Sequence, residues 1–371
     1  MGPVRRLAEE VGRGLRIALP NLRKPVVDQV ALAVGVMIER QTPNTAELAN
    51  VLPLATERQD MREQWLRRLL KNPRLSSPML LEPWARQSLA EVSRQGQTVI
   101  LSLDQTDLGD RFAVLMLGLV VGDRALPLTW AVETGSANLG FDPQHVLLER
   151  VREWLPAGAA VLVLADRFYP SVELFEWLHE QSWHYRLRLK GNLTVDPGFG
   201  DIVTTGDLAA GQTERYLPDV RLFHHGVPTH LGILQEVGHP EPWIIAMNEP
   251  PNRATVRDYQ SRWGIEPLFS DLKSRGFDLE ATQLRHPDRL DRLLLIMALA
   301  LYWCVWTGLE DVRARPTALE KKPMPNPILT TGRGANWPAV PSRGSNADSG
   351  FCSDNCKSNN LCRPFIVSAR Y

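Results

Sequence analysis

Residues 98–133 read TVILSLDQTDLGDRFAVLMLGLVVGDRALPLTWAVE, and their period decides the fold. Three β-rich runs, 98–104, 112–121 and 125–133, are separated by turn-like stretches at 106–110 (TDLGD) and 122–124 (GDR). Aliphatic runs bounded by Gly and Asp predict three consecutive antiparallel strands. Downstream, AAVLVLAD (159–166) is apolar almost throughout, as in a strand buried on both faces, and so is expected to be parallel and central. Helices are expected over Gln144–Trp154, after the start signal of Pro143, and over Ser171–Gln181, with a strand at 183–190 (WHYRLRLK). Three antiparallel strands, then helix, strand, helix, strand, make a mixed α/β sheet flanked by helices.

Beyond this core, residues 191–250 are rich in Gly and Pro, with short apolar runs (RYLPDVRLF, THLGILQEV, PWIIAMNE), and read as a β-rich insertion. Tyr259–Glu280, YQSRWGIEPLFSDLKSRGFDLE, then reads as one amphipathic helix. Trp263, Ile265, Leu268, Phe269 and Leu272 make its apolar stripe. Arg262, Glu266 and Lys273 share a second face, with Tyr259 one turn ahead of Arg262. A strongly apolar helix from His286 to Trp306 is expected to pack it down.

The N-terminal part reads as helices: Val26–Ile38, Thr45–Leu52 with Thr45 as N-cap, and Arg58–Lys71. The last places Met61, Trp65, Leu66, Leu69 and Leu70 inward and Arg62, Arg67, Arg68 and Lys71 outward. Two short helices, the second with a basic face, suit a helix-turn-helix-like DNA reader, and equally a solvated bundle. Past Thr307 the pattern dissolves, and residues 316–350 are Pro-, Gly-, Ser- and Asn-rich, so disorder is expected. Cys352, Cys356 and Cys362 in that tail lack a fourth zinc ligand and read as plain thiols.

Composition excludes several classes. Four Cys in 371 residues, three in the last twenty, do not make a secreted disulfide framework. Apolar runs are too short or too charged for a membrane span, and MGPVRRLAEEVGRG has no signal-peptide apolar region, so a cytoplasmic protein is expected. No Gly-rich dinucleotide or phosphate loop occurs. Net charge is zero, yet residues 1–75 carry 13 Lys+Arg against 8 Asp+Glu, and residues 312–371 carry 9 against 3. Basic ends around an acidic middle suit an enzyme that binds a polyanion and keeps metal-binding carboxylates inside.

The candidate carboxylates are Asp104, ending the first strand, Asp166, ending the central strand, and Glu266 on the later helix. In open α/β sheets the crevice beyond strand ends holds ligands. Asp107 and Asp110 are better explained as turn formers. Three carboxylates from separate elements can hold two Mg2+ ions roughly 3.5–4 Å apart for in-line phosphoryl displacement. Left without a cation they repel and raise one another's pKa values, so the pattern implies bound Mg2+ or Mn2+. The flanking cations and Tyr hydroxyl suit phosphate oxygens. The bland alternative is a surface helix with a Glu–Arg ion pair.

SLDQT with Asp104, LADRFY with Asp166, and Y-x2-R-x3-E-x6-K formed by Tyr259, Arg262, Glu266 and Lys273 together resemble the DDE transposases of bacterial insertion sequences. The four-residue signature points to the branch called the insertion-sequence-four family, and the resemblance covers roughly residues 20–308. It implies an RNase H-like catalytic domain in two parts, 91–190 and 251–310, around the β-rich insertion at 191–250. A helical DNA-binding region would precede it at 1–90 and a disordered tail follow at 311–371. It also implies that Asp104, Asp166 and Glu266 bind two metal ions, and that Tyr259, Arg262 and Lys273 grip phosphates of double-stranded DNA. Trp243 and Trp263 become candidates for stacking a flipped base, with core packing the competing role. A homodimer on DNA, associated with the bacterial nucleoid, would cut and rejoin element ends. The family normally continues with a basic helical C-terminus, whereas this tail is abruptly different, as after a frameshift or fusion. Two other readings remain: a transposition-defective DNA-binding derivative, and an RNase H-like metal-dependent nuclease.

Overall fold

The computed structural model describes residues 2–314, apart from Gln95. Five helices come first: α1 (Pro3–Ala18), α2 (Lys24–Arg40), α3 (Thr45–Val51), α4 (Gln59–Leu70) and α5 (Ser77–Arg94). Then follow β1 (Val99–Leu108), β2 (Phe112–Val121), β3 (Arg124–Thr134), α6 (Phe141–Trp154), β4 (Val161–Ala165), α7 (Val172–Glu180) and β5 (His184–Arg188). The middle section gives β6 (Thr194–Asp196), β7 (Val203–Thr204), α8 (Thr205–Ala209), β8 (Glu214–Leu222), β9 (Val227–Leu234) and β10 (Trp243–Met247). Last come α9 (Arg253–Arg257), a 3-10 segment (Asp258–Gly264), α10 (Ile265–Leu272), a short 3-10 turn (Leu279–Ala281) and α11 (Pro287–Ala314).

All ten strands join one mixed sheet in the order β3-β2-β1-β4-β5-β10-β9-β8-β6-β7. β2 and β3 pair antiparallel, while β1, β4 and β5 run parallel. This is the mixed α/β sheet flanked by helices that the alternating periods predict, and it is consistent with the RNase H-like domain that the resemblance implies. The β-rich stretch is not set apart: β10 pairs directly with β5, and β9, β8, β6 and β7 extend the same sheet.

Alternation along β2 explains its unbroken apolar run. Phe112, Val114 and Met116 enter a core made with α1–α5, α10 and α11, while Ala113, Leu115, Leu117 and Leu119 enter a second core with α6 and α7. Both faces are covered, so neither tolerates polar residues. Asp291 of α11 ties the helical layer to the sheet, accepting hydrogen bonds from Ser77 of α5 and from the Trp130 indole of β3. Among the described residues one stretch, Pro287–Gly308 of α11, is long and apolar enough to cross a membrane; 72% of its apolar window is buried inside the protein.

Several local expectations are corrected. Asn44, not Thr45, caps α3, accepting from the Ala46 amide. Met61 is exposed rather than inward. Arg62 folds back to donate to the Thr56 and Asn50 carbonyls, so part of the basic face of α4 holds α3 in place. Tyr259–Glu280 is not one helix. It starts as a 3-10 segment, restarts as α10 at Ile265, and ends before Lys273, whose ψ of −113° is non-helical. Two residues account for the break. A Cβ on Gly264 would lie 3.2 Å from the Arg124 backbone, so β3 and the chain touch there. Pro267 has no amide to donate and fits only a first helical turn, which is where α10 places it. The expected disorder and the three tail cysteines lie outside the described residues from 315 onward, while 311–314 end α11.

The tightest approach in the sheet is at Gly232 of β9, where a Cβ would fall 2.1 Å from Val256 Cγ2 and 3.2 Å from Met247 Cε. Gly232→Ala is expected to cost about 3 kcal/mol, the upper range for overpacking. The urea unfolding midpoint reads this directly; an unchanged midpoint would mean that α9 lifts off β9 freely.

Candidate active site

Asp104 lies inside β1 rather than at its end, because antiparallel pairing with β2 continues to Leu108↔Phe112. What ends at that level is the parallel partner. The β1–β4 register stops at Leu103↔Ala165, so Asp104 and Asp166 emerge side by side where β4 terminates. Ser102, two residues earlier on the same face, donates to the Arg262 carbonyl at 3.1 Å and pins the 3-10 segment across the sheet. With three residues per turn, a 3-10 segment brings side chains three apart into line. Tyr259 and Arg262 are so spaced, and both point at the aspartates.

The contacts form one chain. Arg262 donates to Asp104 Oδ2 at 2.8 Å through one terminal nitrogen and to Glu266 Oε1 at 3.1 Å through the other. The Tyr259 hydroxyl donates to Asp166 Oδ1 at 3.3 Å. Asp104 Oδ1 also accepts from the Tyr169 hydroxyl at 3.2 Å and the Gln105 amide at 2.9 Å. Asp166 accepts from the Arg167 amide at 2.7 Å. Arg262 is 7% exposed and Tyr259 1%, whereas the Glu266 side chain is 58% exposed.

Burial pushes the Asp104 carboxyl above its ordinary value; Arg262 opposes this and neighbouring Asp166 adds to it. Burial also works against the charge on Arg262, but Tyr259, Asp104, Asp166 and Glu266 outweigh it and hold its pKa above the usual value. Burial raises the Tyr259 hydroxyl well beyond the range of a free phenol, so it stays a donor.

Among the described residues, no three His, Cys, Asp or Glu side chains are gathered closely enough to hold a metal ion. The reason is visible: the guanidinium of Arg262 stands between Asp104 and Glu266. The cation that clustered carboxylates require is here part of the chain. The donor chemistry still fits a hard divalent ion, since Asp104, Asp166 and Glu266 offer carboxylate oxygens only.

Lys273, beyond the end of α10, donates to the Asp107 carbonyl at 2.7 Å and pairs with Glu280 at 3.3 Å. It therefore reaches β1 three residues past Asp104. Trp243 is fully buried, so it packs in the core and offers no face for a base. Trp263 is half-buried, with one face covered by the His239 ring at 5.3 Å and 3°. Sequence reasoning missed Tyr169, although it stands in the quoted LADRFY, because its reach back to Asp104 depends on the turn after β4. It also missed Ser102, which the period of two along β1 places on the face of Asp104.

The family described as the transposase DDE domain matches residues 105–303, more than half of the chain. This chain belongs to that family of DNA transposases. The matched span opens directly after Asp104 and contains Asp166, Tyr259, Arg262, Glu266 and Lys273. DNA is the family's substrate, and its domains are in general dependent on divalent metal. Comparison with curated proteins finds no match.

Removing Arg262 leaves the half-buried Asp104 without its counter-ion. A carboxyl whose folded pKa is raised contributes stability below its unfolded value and loses it as pH rises through the folded one. Arg262→Met is therefore expected to cost about 3 kcal/mol near neutral pH and progressively less in acid. Thermal unfolding between pH 4 and 8 in chelator tests this; a loss independent of pH would mean that Arg262 stabilises by packing alone.

Proposed function

We propose that this protein is an insertion-sequence transposase of the Tyr-Arg-Glu-Lys branch, cutting and rejoining DNA at the element's ends by cut-and-paste transposition. The observation that carries this is the meeting of Asp104 and Asp166, from adjacent parallel strands, with Tyr259, Arg262 and Glu266 from a single turn-and-helix segment. Side chains from β1, from the residue after β4, from the 3-10 segment and from α10 converge on one small space where β4 ends.

Asp104, Asp166 and Glu266 would hold two divalent ions, Mg2+ by preference and Mn2+ in its place. Such ions, when bound, activate an attacking water or 3′-hydroxyl and stabilise the leaving oxygen. The chain's own residues do the rest. Tyr169 and the Gln105 amide fix the Asp104 carboxylate, and the Arg167 amide and Tyr259 fix that of Asp166. Arg262 keeps Asp104 and Glu266 turned to the same space and offers the scissile phosphate a cation, with Tyr259 as a neutral donor. Lys273 would take a neighbouring phosphate at the rim. Because two ends must be cut together, a homodimer on DNA is the working form, acting in the cytoplasm at the nucleoid. The helices before residue 90 would add non-catalytic DNA contacts.

Glu266→Gln is expected to abolish Mg2+-dependent cleavage of DNA carrying the element ends while leaving binding nearly intact; a large loss of binding would remove Glu266 from the ligand set. Lys273→Ala is expected to lower the slope of log affinity against log salt by about one, the loss of a single phosphate contact. An unchanged slope would leave Lys273 as a structural partner of Glu280 and the Asp107 carbonyl.

A further inference from the structure

Past Leu103 the first strand is paired on one side only. β2 continues beside it to Leu108, but β4 stops at Ala165, opposite Leu103. Gln105 lies on this half-paired stretch, directly after Asp104 and on the other face of the strand. Its side chain reaches the connection between β3 and α6, residues 135–140 (GSANLG). Gln105 Nε2 donates to Asp107 Oδ1 at 2.9 Å and to the Ala137 carbonyl at 3.3 Å, and Gln105 Oε1 accepts from the Leu139 amide at 3.0 Å.

That connection has few other anchors. Its near end is fixed by the Gly135 amide, which donates to the Arg111 carbonyl at 2.9 Å. Further on, Leu139 enters the second core, while the residues around it are exposed or half-buried. Both backbone polar groups of Leu139 are met by glutamine side chains, the N–H by Gln105 and the C=O by Gln144 at 3.1 Å. A buried amide without a partner is costly, so Gln105 fixes where Leu139 enters the core. At the same time the backbone amide of Gln105 donates to Asp104 Oδ1 at 2.9 Å. One residue thus holds the connection with its side chain and the Asp104 carboxylate with its main chain. With the side chain removed, the peptide carrying that amide is restrained by β2 alone.

We propose that Gln105 is a positioning residue for Asp104: by fastening the 135–140 connection to β1, it fixes the peptide whose amide orients the Asp104 carboxylate. The proposal rests on the reading of Asp104 as a metal-binding carboxylate of a transposase. Gln105 acts through Asp104, as the outer hydrogen-bond partners of metal ligands do. Loss of such a partner costs metal affinity or activity about tenfold or more.

The test is Mn2+ binding to the full chain without DNA, read from the electron paramagnetic resonance signal of the free ion. Asp104→Asn defines the component of binding that belongs to the site. Gln105→Ala is expected to weaken that component about tenfold. It should also speed hydrogen exchange over residues 135–141 while β2 stays protected. Gln105→Glu keeps the shape but sets a carboxylate against that of Asp107 and against the Ala137 carbonyl, so it too is expected to weaken Mn2+ binding. An effect of charge alone has the opposite sign, because an added anion attracts Mn2+. Adding Asp107→Asn to Gln105→Glu restores a donor between the two side chains and should recover most of the loss; Asp107→Asn by itself should change little. Cleavage of DNA carrying the element ends should need about tenfold more Mg2+ in Gln105→Ala, at an unchanged KM for DNA. Unchanged or tighter Mn2+ binding by either Gln105 variant would overturn the role. So would weaker binding by Gln105→Ala with unchanged exchange over 135–141. A wild type without Asp104-dependent Mn2+ binding would end the metal-ligand reading, and this role with it. If the wild type binds Mn2+ but leaves element ends uncut, the transposase reading fails alone, and Mn2+ binding still decides the role of Gln105.

Discussion

The bridge from Arg262 to Asp104 and Glu266 is the interaction on which the site depends. Two aspartates placed side by side by parallel strands, both half-buried, are costly unless a cation is near. The chain supplies one from the 3-10 segment, and that segment is fixed by Ser102 beneath it and by the contact of Gly264 with β3. The fold therefore holds the carboxylates together before any ligand arrives. The same bridge explains why Glu266, although only four residues from Arg262, is kept one guanidinium away from the aspartates.

A second buried pair supports the first. Arg124, at the start of β3, pairs with Asp271 of α10, and both are almost wholly buried. It locks the helix bearing Glu266 onto the strand whose backbone Gly264 touches. Gly264 has no side chain to hold these elements apart. Position and charge at the site thus come from opposite ends of the same short segment.

How much of this was legible in the sequence follows from the range of each interaction. β2 and β4 were legible because burial on both faces leaves an apolar run with no other simple explanation. Asp104 and Asp166 stand out in sequence because each follows an apolar run, but only β4 ends at its aspartate, while β1 continues past Asp104 to Leu108. The helix over Tyr259–Glu280 was overextended because apolar spacing continues through Gly264 and Pro267, and periodicity does not weigh a close backbone approach. Trp243 and Trp263 look alike in sequence, but one is inside the core beside β9 and the other at its rim. The contacts of Gln105 with Leu139 and of His239 with Trp263 join residues 34 and 24 positions apart, and nothing local marks them.

The position of α11 has a consequence for the order in which the molecule is completed. Ser77 bonds to Asp291 across 214 residues, and Arg292 reaches the Leu70 carbonyl across 222. The N-terminal helices share their core with this last helix. On the ribosome, which delivers the N-terminus first, those helices emerge long before the surface they cover. Their apolar faces stay without a final partner until nearly the whole sheet has been made. Synthesis of α11 is thus the step that closes the helical layer, and a chain cut short before it would have strands and carboxylates but no lid on its larger core.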